Sequence, residues 1–587
     1  MSRQLENKQD RSYRKVKTFL TVALSAGLMC SAAGYSAMAQ GQFAVPANVL
    51  FFGNSLLKNA SYNQVLANGA LGDRKLADGS AIQAFYEARD HKPVWTGSKS
   101  NLEKAADVFS VLKNSWTHGL NPQDYHVDKI SALMEQTGKD DFELELLLTD
   151  AVARYGRDMT GMRINAMAAN EYAKFWRQPQ SHEDILLAVA TKDDPQEALE
   201  NLAPQDQLYE RLQEELIRLS RESAEYDSIL PIKLGKTTFY PGDSSKGVSA
   251  LRQRLGVSYD PDAGPESRYD DETAVAVMDF QRRHNLEPDG VVGPKTLALL
   301  NRSHKDQIHQ VIANLERLRW MDQDKPDRYI LVNIPSQTLW AVDDGEVKYE
   351  MPVIVGKPER QTKAFKSEVK GIRFNPNWTV PMGIKMKDFL PRLQEDPTYL
   401  TQKGIEIFEG TGKDRRTVDP LEVDWMAVTR ADMNRYRMVQ AQGDNNALGR
   451  IRVLMPNDFD IYLHDTNTPE YFNKTERTLS SGCVRVSRPE DIARFVLSDN
   501  EGWTDDKMEA VIARGNTVEV SAAEPFPVYI VYQTMWLDDQ NRLVYGPDVY
   551  KQDKRLIKVM VQADDFHIPN SQSTELAEVV DKSVGKF

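Results

Sequence analysis

Cysteine is the residue that this sequence most nearly lacks: there are only two, Cys30 and Cys483, in 587 residues. So few thiols exclude a disulfide-rich scaffold and a metal site built from several cysteines. Cys30 lies in an N-terminal segment that we expect to be removed, which leaves Cys483 without an internal partner. A single cysteine in an exported protein indicates either an intermolecular bridge or a reactive thiol.

Long apolar runs are also missing, apart from one near the N-terminus. The run Phe19–Gly34 follows four basic residues and precedes the small-residue site Ala37-Met38-Ala39. A basic start, a short apolar run and a small-x-small site together predict a cleavable signal peptide over residues 1–39, with the mature chain starting near Gln40. The run is short for a membrane span, so an uncleaved membrane anchor is the alternative prediction.

Positive charge is in deficit. The formal net charge is −13, and loss of the basic N-terminal segment would make the mature chain more negative. This balance argues against nucleic acid as a partner. The nine histidines are scattered without metal-ligand spacing, so we predict neither a metal nor another cofactor. With 41% hydrophobic and 27% charged residues, the composition is that of a globular protein, and its length requires several domains.

The spacing of apolar residues divides the chain into helical and β segments. Apolar residues recur every three or four positions up to about residue 235, whereas the period changes to two from Tyr329. We therefore predict a multidomain α+β protein. Its predicted parts are a helical N-terminal scaffold domain (45–235), a three-helix domain (238–302), a linker helix (303–324), a mostly-β domain (325–500) with a polar, partly helical cap or lid insertion (383–447), and a C-terminal extension (501–587) that packs on the β domain or the scaffold.

The segment DFQRRHNLEPDGVVGPKTLALLN carries the most specific pattern in the first half of the chain. Pro288-Asp289-Gly290 is a turn, and Pro294 stands in the first turn of a helix. The inner face of the preceding helix is predicted to include Val275, Val277 and Phe280. The F-Q, D-G and G-P-x-T-L elements at these offsets closely resemble the three-helix peptidoglycan-binding domain, and a generic helical bundle would not require them.

Candidate catalytic residues concentrate in the second half of the chain. His464 ends a predicted strand, and Cys483 follows after a polar loop. A thiol needs a nearby base or positive field to react, and histidine supplies both. Gly482 lets the backbone approach a substrate carbonyl, so that amides around Cys483 could receive an oxyanion. The strand pleat puts Tyr462 on the face of His464 and, if the chain is extended there, Arg485 on the face of Cys483, where it can bind a substrate carboxylate.

Each of these residues, taken singly, has an ordinary structural explanation. A lone cysteine is usually a small hydrophobe, a histidine at a strand end is usually a hydrogen-bonded residue, and an arginine in a strand is usually solvated. Besides an enzyme that transfers acyl groups through Cys483, a papain-like cysteine peptidase and a catalytically silent wall-binding scaffold stay open. In papain-like enzymes the cysteine precedes the histidine, and here the order is reversed. The intact His464, Gly482, Cys483 and Arg485 set disfavours the silent scaffold.

The series Ser480-Ser481-Gly482-Cys483-Val484-Arg485, placed after His464, resembles the signature of the L,D-transpeptidase catalytic domain, also called YkuD. That signature is a histidine followed, after a loop, by S/T-x-G-C-hydrophobic-N/R. The segments AFYEARDHKPVW and PFPVYIVYQTMWL are similar to the large multidomain members from Gram-negative bacteria, so the resemblance covers essentially the whole mature chain. Many smaller members have histidine where this chain has Ser481, which leaves His464 as the base.

The resemblance implies a reaction. His464 would deprotonate Cys483, which would attack the diaminopimelate carbonyl of a peptidoglycan tetrapeptide stem and release D-alanine. A second diaminopimelate would then resolve the thioester and form a cross-link, although water, a free D-amino acid or a lipoprotein lysine could resolve it too. In the family a backbone carbonyl orients the histidine. The candidate oxyanion and substrate-binding residues are Gly482, Ser481, Arg485, Tyr462 and Trp378, the last of which is equally well explained as ordinary aromatic core.

The resemblance also implies partners and a location. Family members need no metal or other cofactor, and carbapenems acylate their cysteine. We therefore expect peptidoglycan stem peptides, glycan and carbapenem inhibitors as ligands, and other cell-wall synthesis enzymes as partners. The expected location is the periplasm after removal of the signal peptide, or the inner membrane if residues 1–39 are retained as an anchor.

Overall fold

The computed structural model describes residues 60–72, 74–136, 141–169, 173–410 and 412–561. The described residues form three separate hydrophobic clusters. The predicted signal peptide lies outside these ranges. Among the described residues, no helix combines the length and apolar character that a membrane span requires. The fold is multidomain α+β, which confirms the predicted class.

Amphipathic helices form the first part of the chain, and their apolar faces share one core. Side chains cap the free N–H groups at several helix starts: Asp78 accepts from Ala81 N, and Ser98 accepts from Asn101 N. The elements are α1 (Ala60–Asn68), β1 (Ala70–Leu71), β2 (Arg74–Lys75), α2 (Gly79–Glu87), α3 (Lys99–Lys113), α4 (Val127–Glu135), α5 (Asp141–Met159), α6 (Ala166–Ala169), α7 (His182–Ala190), α8 (Pro195–Glu200), α9 (Gln207–Ser228) and the 3₁₀ helices Asn114–His118, Pro122–Tyr125 and Ala173–Phe175.

Three short helices follow and bury a small hydrophobic cluster of their own. The predicted inner face of the middle helix is correct for Val277, which is fully buried, and for Phe280, which packs against the cluster. It is wrong for Val275, which is 62% exposed. Residues two apart on a helix point about 200° away from each other, so Val275 and Val277 cannot share a face. The helices are α10 (Val248–Leu255), α11 (Asp271–Arg283) and α12 (Pro294–Leu300), with a 3₁₀ turn at Pro261–Ala263.

The predicted linker helix is α13 (His304–Arg319), and it is buried on most sides. Its buried polar groups are paired with other parts of the chain. Asn314 Nδ2 donates to Thr534 Oγ1 (2.7 Å), and Arg319 donates to the hydroxyl of Tyr209 on α9 (3.0 Å). A helix with buried, satisfied polar groups joins the segments around it instead of spacing them apart.

From Tyr329 onward strands are the commonest regular structure, as the period of two predicts. The strands are β3 (Tyr329–Asn333), β4 (Thr338–Asp343), β5 (Glu346–Gly356), β6 (Phe365–Phe374), β7 (Trp378–Thr379), β8 (Ile405–Glu409), β9 (Arg416–Val418), β10 (Tyr436–Gln440), β11 (Ile451–Leu454), β12 (Leu463–His464), β13 (Thr478–Ser480), β14 (Val484–Val486), β15 (Val518–Val531), β16 (Met535–Leu537) and β17 (Leu543–Tyr545). The helices are α14 (Met382–Ile384), a π-helical turn (Lys385–Phe389), α15 (Leu390–Glu395), α16 (Tyr399–Gln402), α17 (Arg430–Arg435), α18 (Pro489–Val496), α19 (Asp505–Arg514), α20 (Gln552–Met560) and the 3₁₀ turns Gly412–Asp414, Pro420–Glu422 and Pro469–Asn473.

A nine-stranded mixed sheet forms the centre of the β domain, in the order β13-β5-β14-β12-β11-β6-β15-β3-β4. β4 also pairs with β5, so the sheet closes on itself. β12 and β14 are parallel neighbours in its interior. The predicted boundary at residue 500 needs correction: β15 pairs with both β6 and β3 and is an integral strand, not part of an extension. Up to residue 561, where the described part ends, the β16–β17 hairpin and α20 follow β15, and α20 packs on α13.

The insertion predicted over residues 383–447 contains more strand than its polar sequence indicates. β7, β10, β8 and β9 form a separate four-stranded sheet in that order. The segment from β7 to β10, residues 378–440, is called the lid below. It has its own hydrophobic cluster, which includes Phe389, Leu393, Ile407 and Met438. The lid is therefore a subdomain with its own core.

Candidate active site

The strand register brings four predicted site residues to one face of the central sheet. His464 of β12 lies opposite Arg485 of β14, and Val484 N donates to Tyr462 O (3.0 Å). Residues paired across neighbouring strands point to the same side, and so do residues two apart on one strand. Tyr462, His464 and Arg485 therefore share a face, and Cys483 lies immediately before β14, near Tyr462.

His464 is buried and held in one orientation. Its Nδ1 donates to the backbone O of Asp465 (2.5 Å), which leaves Nε2 with a free lone pair. The orienting group is thus a backbone carbonyl, as the resemblance implies. The Asp465 carboxylate is used elsewhere, accepting from Arg450 N (2.7 Å) and Thr466 N (2.6 Å). Burial, followed by the charges of Arg485 and Arg452, lowers the pKa of His464 to about 3, so the imidazole is neutral at physiological pH.

Cys483 is a free, partly exposed cysteine. Its thiol donates to the backbone O of Asp460 (3.5 Å). Burial raises the pKa of the thiol, although a backbone hydrogen bond from Tyr462 and the charges of Arg452 and Arg485 oppose this rise. The resting pair is therefore a neutral thiol and a neutral imidazole. A pair of this kind reacts by proton transfer to the base during attack, without a preformed thiolate.

The turn before Cys483 has a conformation that favours glycine. Gly482 has φ +125°, outside the range that other residues adopt easily. Its N–H donates to Ser480 Oγ (3.1 Å), and the Ser480 hydroxyl donates to Cys483 O (2.5 Å). The Gly482 amide is therefore occupied, and the Cys483 N–H makes no hydrogen bond within the described chain. Cys483 N–H is the better candidate for the oxyanion donor.

Distant segments support this turn, and sequence reasoning missed them. Thr362 Oγ1 donates to Gly482 O (2.7 Å) and accepts from Gly356 N (2.9 Å). Tyr550 OH donates to Gly356 O (2.5 Å), so the β5–β6 loop is held from the C-terminal side. Ser480 stands in the recognised signature, but nothing in the sequence near Thr362 or Tyr550 indicates their role. Only the folded chain brings them to the cysteine loop.

Ser481 is exposed and connects the turn to the lid. Arg360 donates to Ser481 Oγ (3.0 Å) and pairs with Asp388 of the lid, with a second hydrogen bond of 2.7 Å. The guanidinium group thus bridges the cysteine loop and the insertion. The spacing of the signature gave no indication of Arg360.

The remaining predicted residues have different surroundings. Arg485 donates to Thr468 Oγ1 (3.2 Å). The guanidinium carbon of Arg452 lies over the Tyr462 ring, 3.7 Å from the ring centroid. Trp378 belongs to the lid sheet, where it packs edge-on against Phe389 with centroids 6.2 Å apart. A role for Trp378 in a substrate channel stays a prediction.

A metal site is not found within the described ranges, since no group of three or more histidine, cysteine, aspartate or glutamate residues there could hold an ion.

Three family models match the chain. They are "Scaffold domain" over residues 80–216, "Putative peptidoglycan binding domain" over 244–300 and "L,D-transpeptidase catalytic domain" over 327–520. These matches confirm the resemblance seen in the sequence: the chain combines a helical scaffold, a peptidoglycan-binding domain and a YkuD domain.

One curated relative is a Haemophilus influenzae protein named "Putative L,D-transpeptidase", 36% identical over 257 residues, or 43% of this chain. The chain spans about half (50%) of that relative's length. Among solved structures, an L,D-transpeptidase from Xylanimonas cellulosilytica is 16% identical, with 51% of this chain and 100% of that chain covered and a TM-score of 0.18. The L,D-transpeptidase LdtMt1 in complex with imipenem is 14% identical, with 35% and 59% covered and a TM-score of 0.17.

Proposed function

We propose, from the premise that residues 327–520 form an L,D-transpeptidase catalytic domain, that this protein cross-links peptidoglycan stems through a thioester on Cys483. One observation carries the proposal. His464, with Nδ1 fixed on the Asp465 carbonyl, stands on β12, and Cys483 immediately precedes the neighbouring parallel strand β14. A base with a free Nε2 beside a partly exposed thiol is the minimum that this chemistry needs.

In the acylation step, Cys483 turns its thiol from the Asp460 carbonyl toward His464 and passes its proton to Nε2. Sγ bonds to the carbonyl carbon of diaminopimelate, and the carbonyl oxygen takes up the negative charge, which the Cys483 N–H stabilises. The carbon–nitrogen bond to D-alanine then breaks. The imidazolium returns the proton to the leaving amine, and the thioester remains on Cys483.

In the second step, the side-chain amine of another diaminopimelate attacks the thioester and gives a proton to His464. The new amide bond forms, the carbon–sulfur bond breaks, and the thiolate regains its proton. The product is a diaminopimelate–diaminopimelate cross-link. Water, a free D-amino acid or a lipoprotein lysine would resolve the same thioester to different products, so the acceptor must be found by experiment.

The proposal includes location and ligands. An exported protein with a peptidoglycan-binding domain would act in the periplasm, after cleavage within the N-terminal segment or while anchored by it. Carbapenems present a strained amide and an adjacent carboxylate, so we propose that they acylate Cys483 with the carboxylate on Arg485. Stem peptides and glycan are the proposed natural ligands, and other cell-wall synthesis enzymes are proposed as partners.

The test uses the chain without residues 1–39 and a purified diaminopimelate-containing disaccharide-tetrapeptide, with products followed by mass spectrometry. We expect a dimer that has lost one D-alanine. Cys483→Ala should abolish it, and His464→Ala should lower its rate about 10²- to 10⁴-fold, because general-base catalysis is lost. A tripeptide alone would identify a hydrolase. An unchanged tetrapeptide, with retention of the protein on cell-wall sacculi, would favour a silent binding scaffold.

A further inference from the structure

Arginines lie on both sides of the base. Arg452 of β11 is opposite His464 of β12, which in turn is opposite Arg485 of β14. Because paired residues point to the same side of a sheet, the two guanidinium groups flank the imidazole. The recognised signature includes Arg485 but not Arg452.

Arg452 lacks the acidic partner that its neighbour has. Arg373, opposite Arg452 on β6, forms an ion pair with Glu519 of β15. Arg452 forms no ion pair with any residue that the structure describes, and its guanidinium group instead covers the ring of Tyr462. Its Nε is buried without a hydrogen-bond partner. A contact with a ring face does not satisfy this N–H group, so a donor is left unused beside the nucleophile.

Arg485 is similarly uncompensated. Its hydrogen bond goes to the neutral hydroxyl of Thr468 (3.2 Å). Burial lowers the pKa of both Arg452 and Arg485, because each positive charge is partly withdrawn from water. For Arg452 the carboxylate of Glu519, which is paired with Arg373, opposes this fall without cancelling it. An anion that entered the site would meet two charges whose hydration is already reduced, which strengthens the attraction.

We propose that Arg452 binds a substrate carboxylate on the side of His464 opposite to Arg485, so that the site selects acyl donors with a carboxylate on each side of the scissile amide. This inference rests on the proposed function. In that reaction the donor stem has the carboxylate of D-alanine beyond the scissile bond and the free carboxylate of diaminopimelate before it. Two carboxylates would meet two arginines, and Arg452 Nε–H would gain a charge-assisted acceptor.

A structural role for Arg452, as a support for Tyr462, is the competing explanation. The two roles differ in their response to the charge of a small reagent. Iodoacetate and iodoacetamide alkylate the same thiol by the same displacement, so the ratio of their rates cancels any change in the pKa of Cys483. The ratio therefore reports how strongly the site attracts an anion.

The first experiment measures this ratio on the full chain by mass spectrometry at low ionic strength. Arg452→Gln should lower the iodoacetate-to-iodoacetamide rate ratio several-fold, and Arg452→Lys should largely preserve it. Arg450→Gln is the matched control, since Arg450 lies two residues away and pairs with exposed Asp444. Its ratio should stay close to that of the unmodified chain. An unchanged ratio in Arg452→Gln would overturn the proposal.

The second experiment compares tetrapeptide donors with the D-alanine or the diaminopimelate carboxylate converted to the amide. Amidation of the carboxylate that Arg452 binds should lower kcat/KM of the unmodified enzyme about tenfold or more. The same amidation should change kcat/KM of Arg452→Gln little, because the arginine that binds this carboxylate is already absent. Additive losses for both amidated donors would assign Arg452 a purely structural role. Inactivity on every stem with the anion preference intact would refute the proposed function while leaving the anion site in place.

Discussion

At the scale of single residues, the neutral state of the His464–Cys483 pair determines how activity depends on pH. Because the pKa of His464 is lowered to about 3, the base form persists as pH falls through the range where an ordinary histidine becomes protonated. We expect kcat/KM for acylation to stay level between about pH 5 and pH 7. Alkylation of Cys483 by iodoacetamide should rise only at alkaline pH, with a midpoint above that of an ordinary cysteine, because burial raises the pKa of the thiol.

Arg485→Gln provides the control for this prediction. The Arg485 charge lowers the pKa of both His464 and Cys483. Its removal should therefore move two pH values upward together: the pH below which kcat/KM for acylation falls, called the acid limb, and the midpoint of Cys483 alkylation. A midpoint below that of free cysteine that coincides with the acid limb of the acylation profile would instead indicate a preformed thiolate–imidazolium pair.

Much of the site could be predicted from the sequence, because His464, Cys483 and Arg485 all belong to one short signature. Ser480 belongs to the same signature, but its two hydrogen bonds depend on the turn geometry. Arg452, Arg360 and Thr362 could not be inferred, since strand register and loop contacts, not spacing along the chain, bring them to the cysteine.

At the scale of elements, a substitution in the core of the lid should destabilise the lid without destabilising the central sheet. Leu393 is fully buried in the lid cluster, and Leu393→Ala should destabilise the lid by about 2–5 kcal/mol. Hydrogen exchange should accelerate in β8 and β10 and stay unchanged in β11 and β12. Leu421→Ala is the matched control, because Leu421 is 67% exposed and its truncation should change stability by less than about 0.5 kcal/mol. Equal acceleration in β11 would show that the lid and the central sheet unfold together.

Elements with strong local signals were predicted well, and those that depend on distant partners were not. The turn at Pro288-Asp289-Gly290 and the helices around it follow from local chemistry. The lid sheet was not predicted, because its strands are short and separated by charged turns. Such a pattern indicates a polar, partly helical insertion and not a sheet. The place of β15 between β6 and β3 could not be read either, since the order of strands in a sheet is set by long-range pairing.

At the scale of the whole molecule, α13 should make the scaffold and the central sheet unfold as one. Asn314 donates to Thr534 Oγ1 (2.7 Å) and accepts from Met535 N (3.1 Å), both across the interface that α13 shares with the C-terminal segment. Asn314→Ala should lower the free energy of unfolding by about 1–3 kcal/mol, because it leaves buried polar groups without partners. Calorimetry should show the main transition moved to lower temperature as a single peak.

Exposed Lys305 on the same helix supplies the comparison, and Lys305→Ala should leave the main transition in place. Two separate peaks in the Asn314→Ala chain, with only one displaced, would contradict a shared core. The hydrophobic cluster supports a single peak, since buried residues from the scaffold helices, α13 and the central sheet belong to it without interruption.

The support that Tyr550 gives to the β5–β6 loop has a consequence for the order in which the protein matures. β15 and Tyr550 leave the ribosome after Cys483, so the loop that holds the thiol lacks these supports until the later segment has been made. A nascent or clipped chain that ends before residue 518 would contain His464 and Cys483 without the frame that aligns them. The arrangement around Cys483 would thus be complete only in a chain that includes both β15 and Tyr550.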